Sequence, residues 1–424
     1  MIFAEDELSG LSTKRIKDVL KKTLAGKTLG KVLLVPPDIT RLNSGAGLIT
    51  ALYYDLLGDA NVDILPALGT HAPMTREEQV TFFGSKIPAE KFLVHNWREG
   101  VTKIGEVPAA YIKEISEGHI NAPIDVEISN HLLNPDYDLI LSIGQVVPHE
   151  VAGMANYTKN IAIGCGGSGF INSSHMLGAV FGLERVMGKD HSPVRKALDY
   201  AEDSFISKLP LEYVLTVTVS EGVDTDILGL YAGKGREVFE RAVRLSQKHN
   251  VHYLEAPLKT CVVRLDEREF RSTWLGNKAI YRTRMAMAGG GSLIILAPGV
   301  CRFGEDAQND KLIRKYGYIG RENILRLCES EADLKSNLSA AAHLIHGSAE
   351  GRFKVIYAAG GLSKSEVEGV GFAYMPYEEA LARYAPANTA RGFNTLPDGE
   401  EIYYIDDPAV GLWTTQENRP PVLT

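Results

Sequence analysis

Short runs of aliphatic and β-branched residues, each closed by a turn-former or a chemically active side chain, recur along this chain and decide its fold class. KVLLVPPD ends at Asp38, VDILPALG at Gly69, LILSIGQVVPH at His149 and NIAIGCGG at Gly167. A strand that is apolar at nearly every position, not every second one, needs cover on both faces, which parallel sheets flanked by helices provide. Between the runs lie segments such as GAGLITALYYDLLG, whose apolar residues recur at helical spacing. The pattern predicts an α/β protein with largely parallel sheets. In such sheets ligands bind beyond the carboxyl ends of the strands, so the residues just after these runs are the functional candidates. Thr75 followed by Glu78 in HAPMTREEQV has the spacing of a capping box and predicts a helix start.

At 424 residues the chain exceeds the length of ~250–300 at which one hydrophobic core stops growing, so it divides into domains. A second set of strands, KTCVVRLDE, SLIILAPGV and KVIYAAGG, follows the helical REVFERAVRLSQKHN, with helix-like AAAHLIHG and YEEALARY between them. The expected division is residues 1–268 and 269–405, two α/β domains with an active-site cleft between them. The tail 406–424 is a candidate to return to the first domain, and PANTARGFNTLPDGE reads as a turn-rich loop.

Composition narrows the function. Apolar residues make up 45% and charged residues 23%, the balance of a folded globular protein. A net charge of -8, with no basic run interleaved with aromatics, argues against a nucleic-acid partner. Cys165, Cys261, Cys301 and Cys328 are widely spaced, which disfavours a disulfide framework or a cysteine-built zinc site. No stretch of eighteen apolar residues and no export signal is evident, so neither a membrane partner nor export is expected and the working location is cytoplasmic. Oligomeric state is not encoded in any recognisable way.

Gly164, Gly166 and Gly169 satisfy G-x-G-x-x-G after NIAI, with Glu184 at about the distance of a ribose-binding acid. One reading is therefore an NAD-dependent 2-hydroxy acid dehydrogenase using the GCGGSG loop. Against it, HMLGAVFGLERVMG reads as helical throughout, with no second strand to carry the acid. Close helix–strand packing also explains the glycines, though not the histidines and lysine around them.

His149 follows one strand, His71 in LGTHAP follows another, and Lys159 and His175 flank the glycine run. With DITR (Asp38, Thr40, Arg41), GTH (Gly69, Thr70, His71), PH-x2-AG-x5-K (His149 to Lys159), N-x2-H (Asn172, His175) and the later Lys278 in WLGNKA, the chain resembles the nickel-pincer-nucleotide-dependent lactate racemase family. The resemblance implies a pyridinium mononucleotide whose two sulfur-containing arms hold nickel, installed by cofactor maturation proteins. Lys159 would be joined to one arm as a thioamide and His175 would be the protein ligand to nickel. His71 and His149 would be catalytic bases, and Arg41 and Lys278 would hold the anionic substrate. Asp38, Thr40, Gly69 and Thr70 would shape the nucleotide pocket.

The implied activity is inversion at C2 of a 2-hydroxy carboxylic acid through a 2-keto acid, by reversible hydride transfer to the nucleotide. A barely acidic C–H bond makes that route easier than proton removal. Imidazoles titrating near working pH suit the hydroxyl proton, and neutral imidazole suits nickel. Family members carry a Tyr-Gln pair before the substrate lysine where this chain has Trp274 and Leu275, so a larger acid, such as a sugar acid, is expected in place of lactate. A non-catalytic hydroxy-acid binding homologue is the third reading.

Overall fold

The computed structural model describes residues 1–58, 62–221, 224–385 and 389–418. These form two units, one of residues 1–181 and 185–250, the other of 182–184 and Val251 onward.

The first unit holds ten strands: β1 (Ile2–Glu5), β2 (Val32–Val35), β3 (Val62–Ile64), β4 (Val101–Val107), β5 (Ile124–Ser129), β6 (Leu139–Gln145), β7 (Pro148–His149), β8 (Gly153–Met154), β9 (Leu211–Glu221) and β10 (Asp224–Gly233). Its main sheet has the order β1-β10-β9-β6-β2-β3. The pairs β3–β2, β2–β6 and β6–β9 are parallel, whereas β9–β10 and β10–β1 are antiparallel. Every residue of β2 and β6 is buried, as their unbroken apolar runs require. Side-chain alternation sends them to opposite faces. Val32 and Leu34 join one core with helices Thr13–Leu24 and Ala46–Leu57, while Leu33 and Val35 join another with helices Ser168–Phe181 and Pro193–Ser204. The sheet is thus covered on both sides, and the carboxyl ends of β3, β2 and β6 lie side by side. The expected capping box is present: Glu78 N–H donates to Thr75 Oγ1 at 3.3 Å and Thr75 N–H to Glu78 Oε2 at 2.9 Å.

The second unit holds β11 (Val251–Leu254), β12 (Leu258–Arg264), β13 (Met287–Ala297), β14 (Lys354–Ala359), β15 (Ala373–Tyr374), β16 (Gly392–Thr395), β17 (Glu401–Ile405) and β18 (Leu412–Thr415). Six of them form a sheet ordered β15-β14-β13-β12-β17-β16, parallel except for the β16–β17 hairpin. The unit therefore begins at Val251, ahead of the expected boundary at 268, because KTCVVRLDE is a central strand of this sheet. The described part of the tail, expected as a candidate to return to the first domain, belongs to the second unit: β18 pairs in parallel with β11, Val251 opposite Leu412. Residues 386–388 of the loop PANTARGFNTLPDGE and 419–424 of the tail lie outside the described residues; Gly392–Thr395 of that loop is strand β16.

Candidate active site

β2 runs through Pro36 and Pro37 into Asp38, and a parallel bridge from Pro37 to Ala67 keeps the chain beyond β3 alongside it. Asp38 caps the helical turn Ile39–Ser44, its Oδ1 accepting from Thr40 N–H at 3.2 Å and Thr40 Oγ1 at 2.5 Å. Its Oδ2 lies 2.6 Å from His71 Nδ1. Burial by itself raises the Asp38 carboxyl, but His71, the Thr40 hydroxyl and Arg41 outweigh it and hold the group below the usual carboxylate range. The turn carrying Gly69, Thr70 and His71 is fixed by Gly69 N–H on Gly164 O at 2.8 Å and His71 N–H on Leu68 O at 3.0 Å. Gly69 has φ 58°, a conformation that glycine adopts without strain.

Beyond β6, His149 sits in the short β7–β8 hairpin and is almost fully buried. Its Nδ1 accepts from the backbone N–H groups of Val151 at 3.0 Å and Ala152 at 3.4 Å, and its Nε2 lies 3.8 Å from Glu150 Oε1.

Lys159 belongs to the short helix Thr158–Ala162, entered through two consecutive left-handed residues, Asn156 (φ 64°) and Tyr157 (φ 57°). Such backbone conformations cost about 1–3 kcal/mol each and persist only where the surroundings impose them. Burial, then Arg41 and Arg195, lowers the Lys159 amine to about 8, with Glu150 and Asp38 partly offsetting the shift. On the helix Ser168–Phe181, His175 Nδ1 lies 2.6 Å from Ile171 O one turn back, so that nitrogen carries the proton and Nε2 carries the lone pair. Burial, with Lys159 and His71 adding to it, pushes His175 down to about 4, against opposing effects of the Ile171 carbonyl and Glu150. The ring is neutral at pH 7, as a metal ligand must be. Asp38, Arg41, His71, Glu150, Lys159 and His175 thus influence one another electrostatically, with His149 beside Glu150.

Residues 16–186, which include every first-unit candidate, match the family described as lactate racemase N-terminal domain. The match falls almost entirely within the first unit. The whole chain is also similar to a crystal structure of a protein from Thermotoga maritima, at 25% identity and TM-score 0.83 over 97% of this chain and 100% of that one. The fold is shared with the lactate racemase apoprotein from Thermoanaerobacterium thermosaccharolyticum, at 18% identity and TM-score 0.68 over 96% and 93% of the two chains. No curated protein matches.

Within the matched region the glycine run has no dinucleotide role. NIAI, expected as a strand, is helix and turn. The helix that follows has its first N–H groups already taken by β5: Gly169 N–H donates to Glu127 Oε2 at 2.9 Å and Gly167 N–H to Glu127 O at 3.2 Å. A carboxylate thus fills the place a pyrophosphate would occupy. A Cβ on Gly167 would collide with the Glu127 side chain, so glycine is there for close approach. Glu184 follows no strand and pairs with Arg284 at 2.8 Å. These contacts contradict the NAD reading.

Lys278 lies in the second unit. Its Nζ is 2.7 Å from Glu269 Oε1, both side chains nearly fully buried, and 5.1 Å from the centre of the Phe270 ring. Close by in sequence, Trp274 stacks on His343 at 4.3 Å and Leu275 is buried. Among the described residues no group of three or more His, Cys, Asp and Glu side chains is arranged to hold a metal ion. No helix among them is long and apolar enough to cross a membrane.

Glu150 and Arg195 were not anticipated from the sequence. Glu150 had a usable signal, adjacency to His149, whereas Arg195 had none. Arg195 is fully buried, gives Nη2 to Met154 O at 2.7 Å and Asn156 O at 3.2 Å, and stacks over Phe239 at 4.3 Å. Tyr157 stacks on the same Phe239 ring at 5.2 Å. Together they clamp the left-handed pair that delivers Lys159.

Behind the clamp, Tyr213 OH donates to Glu202 Oε2 at 2.5 Å, and burial lifts the Glu202 carboxyl from 4.5 to about 7. An acid raised on folding contributes stability that is present below its unfolded value and is lost as pH rises through the folded one. Between pH 4.5 and 7, the wild type should therefore lose stability relative to Glu202→Gln as pH increases, by up to about 1.4 kcal/mol per pH unit. Urea unfolding of both proteins across that range measures the difference.

Proposed function

We propose that this protein is an isomerase that inverts C2 of a 2-hydroxy carboxylic acid larger than lactate, using a nickel-pincer nucleotide held by Lys159 and His175. The observation that carries the reading is the electrostatic coupling of a lysine amine lowered to about 8, a neutral histidine with its Nε2 lone pair available to a metal, and the His71–Asp38 pair beyond β2 and β3. These residues fit the group. An amine near neutrality can be acylated, and a single histidine suffices where the organic ligand supplies the remaining donors. When bound, the nucleotide supplies the acceptor that takes hydride from C2 and returns it.

The chain's own residues do the rest. His71, oriented by Asp38, exchanges the hydroxyl proton as the planar 2-keto acid forms and reverts. Arg41 places a guanidinium near the reaction centre to hold the substrate carboxylate, and Lys278 is the second cationic candidate. Thr40, Gly69 and Thr70 shape the wall around Asp38. Leu275 stands where family members carry a polar amide before the substrate lysine, and by that resemblance a larger acid, a sugar acid among the candidates, is favoured over lactate. Maturation proteins would install the cofactor in the cytoplasm. Intact-protein mass spectrometry on enzyme produced with that machinery should show an adduct that is absent from Lys159→Ala; an unmodified, nickel-free, fully active protein would overturn the reading.

A further inference from the structure

Two histidines, His71 beyond β3 and His149 beyond β6 with β2 between those strands, suggest two equivalent bases, one for each configuration at C2. Their hydrogen bonds differ. His71 Nδ1 faces the Asp38 carboxylate at 2.6 Å, and a carboxylate only accepts, so the proton of the neutral ring sits on Nδ1 and Nε2 carries the lone pair. His149 is the reverse. Its Nδ1 is approached by two backbone N–H groups, Val151 at 3.0 Å and Ala152 at 3.4 Å, and a backbone N–H only donates. The neutral His149 ring therefore holds its proton on Nε2, the nitrogen 3.8 Å from Glu150 Oε1. Protonating Nδ1 would set a third N–H against two others in a nearly fully buried site.

Building on the proposed reaction, we infer that His71 is the base and His149 is a hydrogen-bond donor, so the two histidines are not interchangeable. In the oxidative half, the hydroxyl proton would pass to Nε2 of His71 while C2 gives up hydride and the C–O single bond becomes C=O, the nucleotide supplying the hydride acceptor when bound. His149 keeps its proton throughout and gives a hydrogen bond from Nε2 to a substrate oxygen. Asp38 stabilises the imidazolium that His71 becomes, as a carboxylate behind a general base does. Glu150, facing the His149 N–H, is a positioning residue that favours the same tautomer.

Long-range proton–nitrogen correlation spectra of the cofactor-free protein labelled with ¹⁵N-histidine, assigned with His71→Gln and His149→Gln, read the tautomers directly. The expected result is a protonated Nδ1 on His71 and a protonated Nε2 on His149. A His149 ring protonated on Nδ1, or both rings in one tautomer, would overturn the assignment. In matured enzyme, glutamine at 149 can present an N–H near the position of Nε2. His149→Gln should therefore invert C2 at least tenfold faster than His149→Ala, whereas His71→Gln should be as slow as His71→Ala. Equal loss in the two His149 variants would also overturn it. If instead no 2-hydroxy acid is inverted by the wild type while the spectra show the two tautomers, the reaction is wrong and the proton assignment stands.

Discussion

Replacing Lys159 with alanine is expected to abolish C2 inversion, a loss on the order of 10³-fold or more, while leaving the fold intact. The two halves of this expectation have separate causes. Function is lost because the amine is the proposed point of attachment, and no other lysine among the groups that sense one another can replace it. The fold survives because the Lys159 ammonium makes no hydrogen bond or ion pair to any described residue, and burial already disfavours its charge. Removing a poorly solvated amine relieves a cost and creates no orphaned partner. The cofactor-free variant should melt at or slightly above the wild-type temperature. A variant that unfolds would show the lysine to be structural.

Phe239→Ala is expected to destabilise the first unit by about 3–5 kcal/mol, the usual cost of emptying a buried aromatic site. Its ring is fully buried and packs against the Tyr157 ring at 5.2 Å and the guanidinium groups of Arg195 at 4.3 Å and Arg236 at 5.8 Å. Losing it removes the apolar seat of Tyr157 and the cation–π contact of Arg195 at once. The left-handed Asn156–Tyr157 pair then relaxes, so the cofactor-free variant should also show altered reactivity of Lys159 toward amine-directed reagents. Phe393→Ala is the contrast: that ring is 70% exposed and its loss should cost no more than about 0.5 kcal/mol. Denaturant titration of both variants measures the difference, and equal midpoints would contradict the clamp.

The parts of this architecture legible in the sequence are those where periodicity and length agree. β2, β6 and the helix Ala46–Leu57 fall where the apolar runs put them, and Asp38, His71 and His149 sit at strand ends because a parallel sheet leaves its carboxyl ends to loops. NIAI misled because four apolar residues suit a buried helix as well as a strand. Asn160 decides the matter by tying the helix to Val35 O and Ser142 Oγ, each at 3.0 Å, contacts between residues far apart in sequence. β11 gave no signal of its own, since its partner β18 lies about 160 residues away. Arg195 is the clearest case of information held only in three dimensions. An arginine in an amphipathic helix reads as solvated, and only the carbonyls of Met154 and Asn156, brought over it by the β7–β8 hairpin, make its burial possible.

The central claim is that hydrogen leaves and returns to C2 inside this site without entering water. Matured enzyme should be given a panel of 2-hydroxy acids, each deuterated at C2, in ordinary water, and the inverted products analysed on a chiral column with mass detection. The account predicts at least one acid that inverts with its deuterium retained. Inversion with deuterium replaced by solvent hydrogen would contradict it, and so would the absence of inversion across the panel in protein carrying the Lys159 adduct.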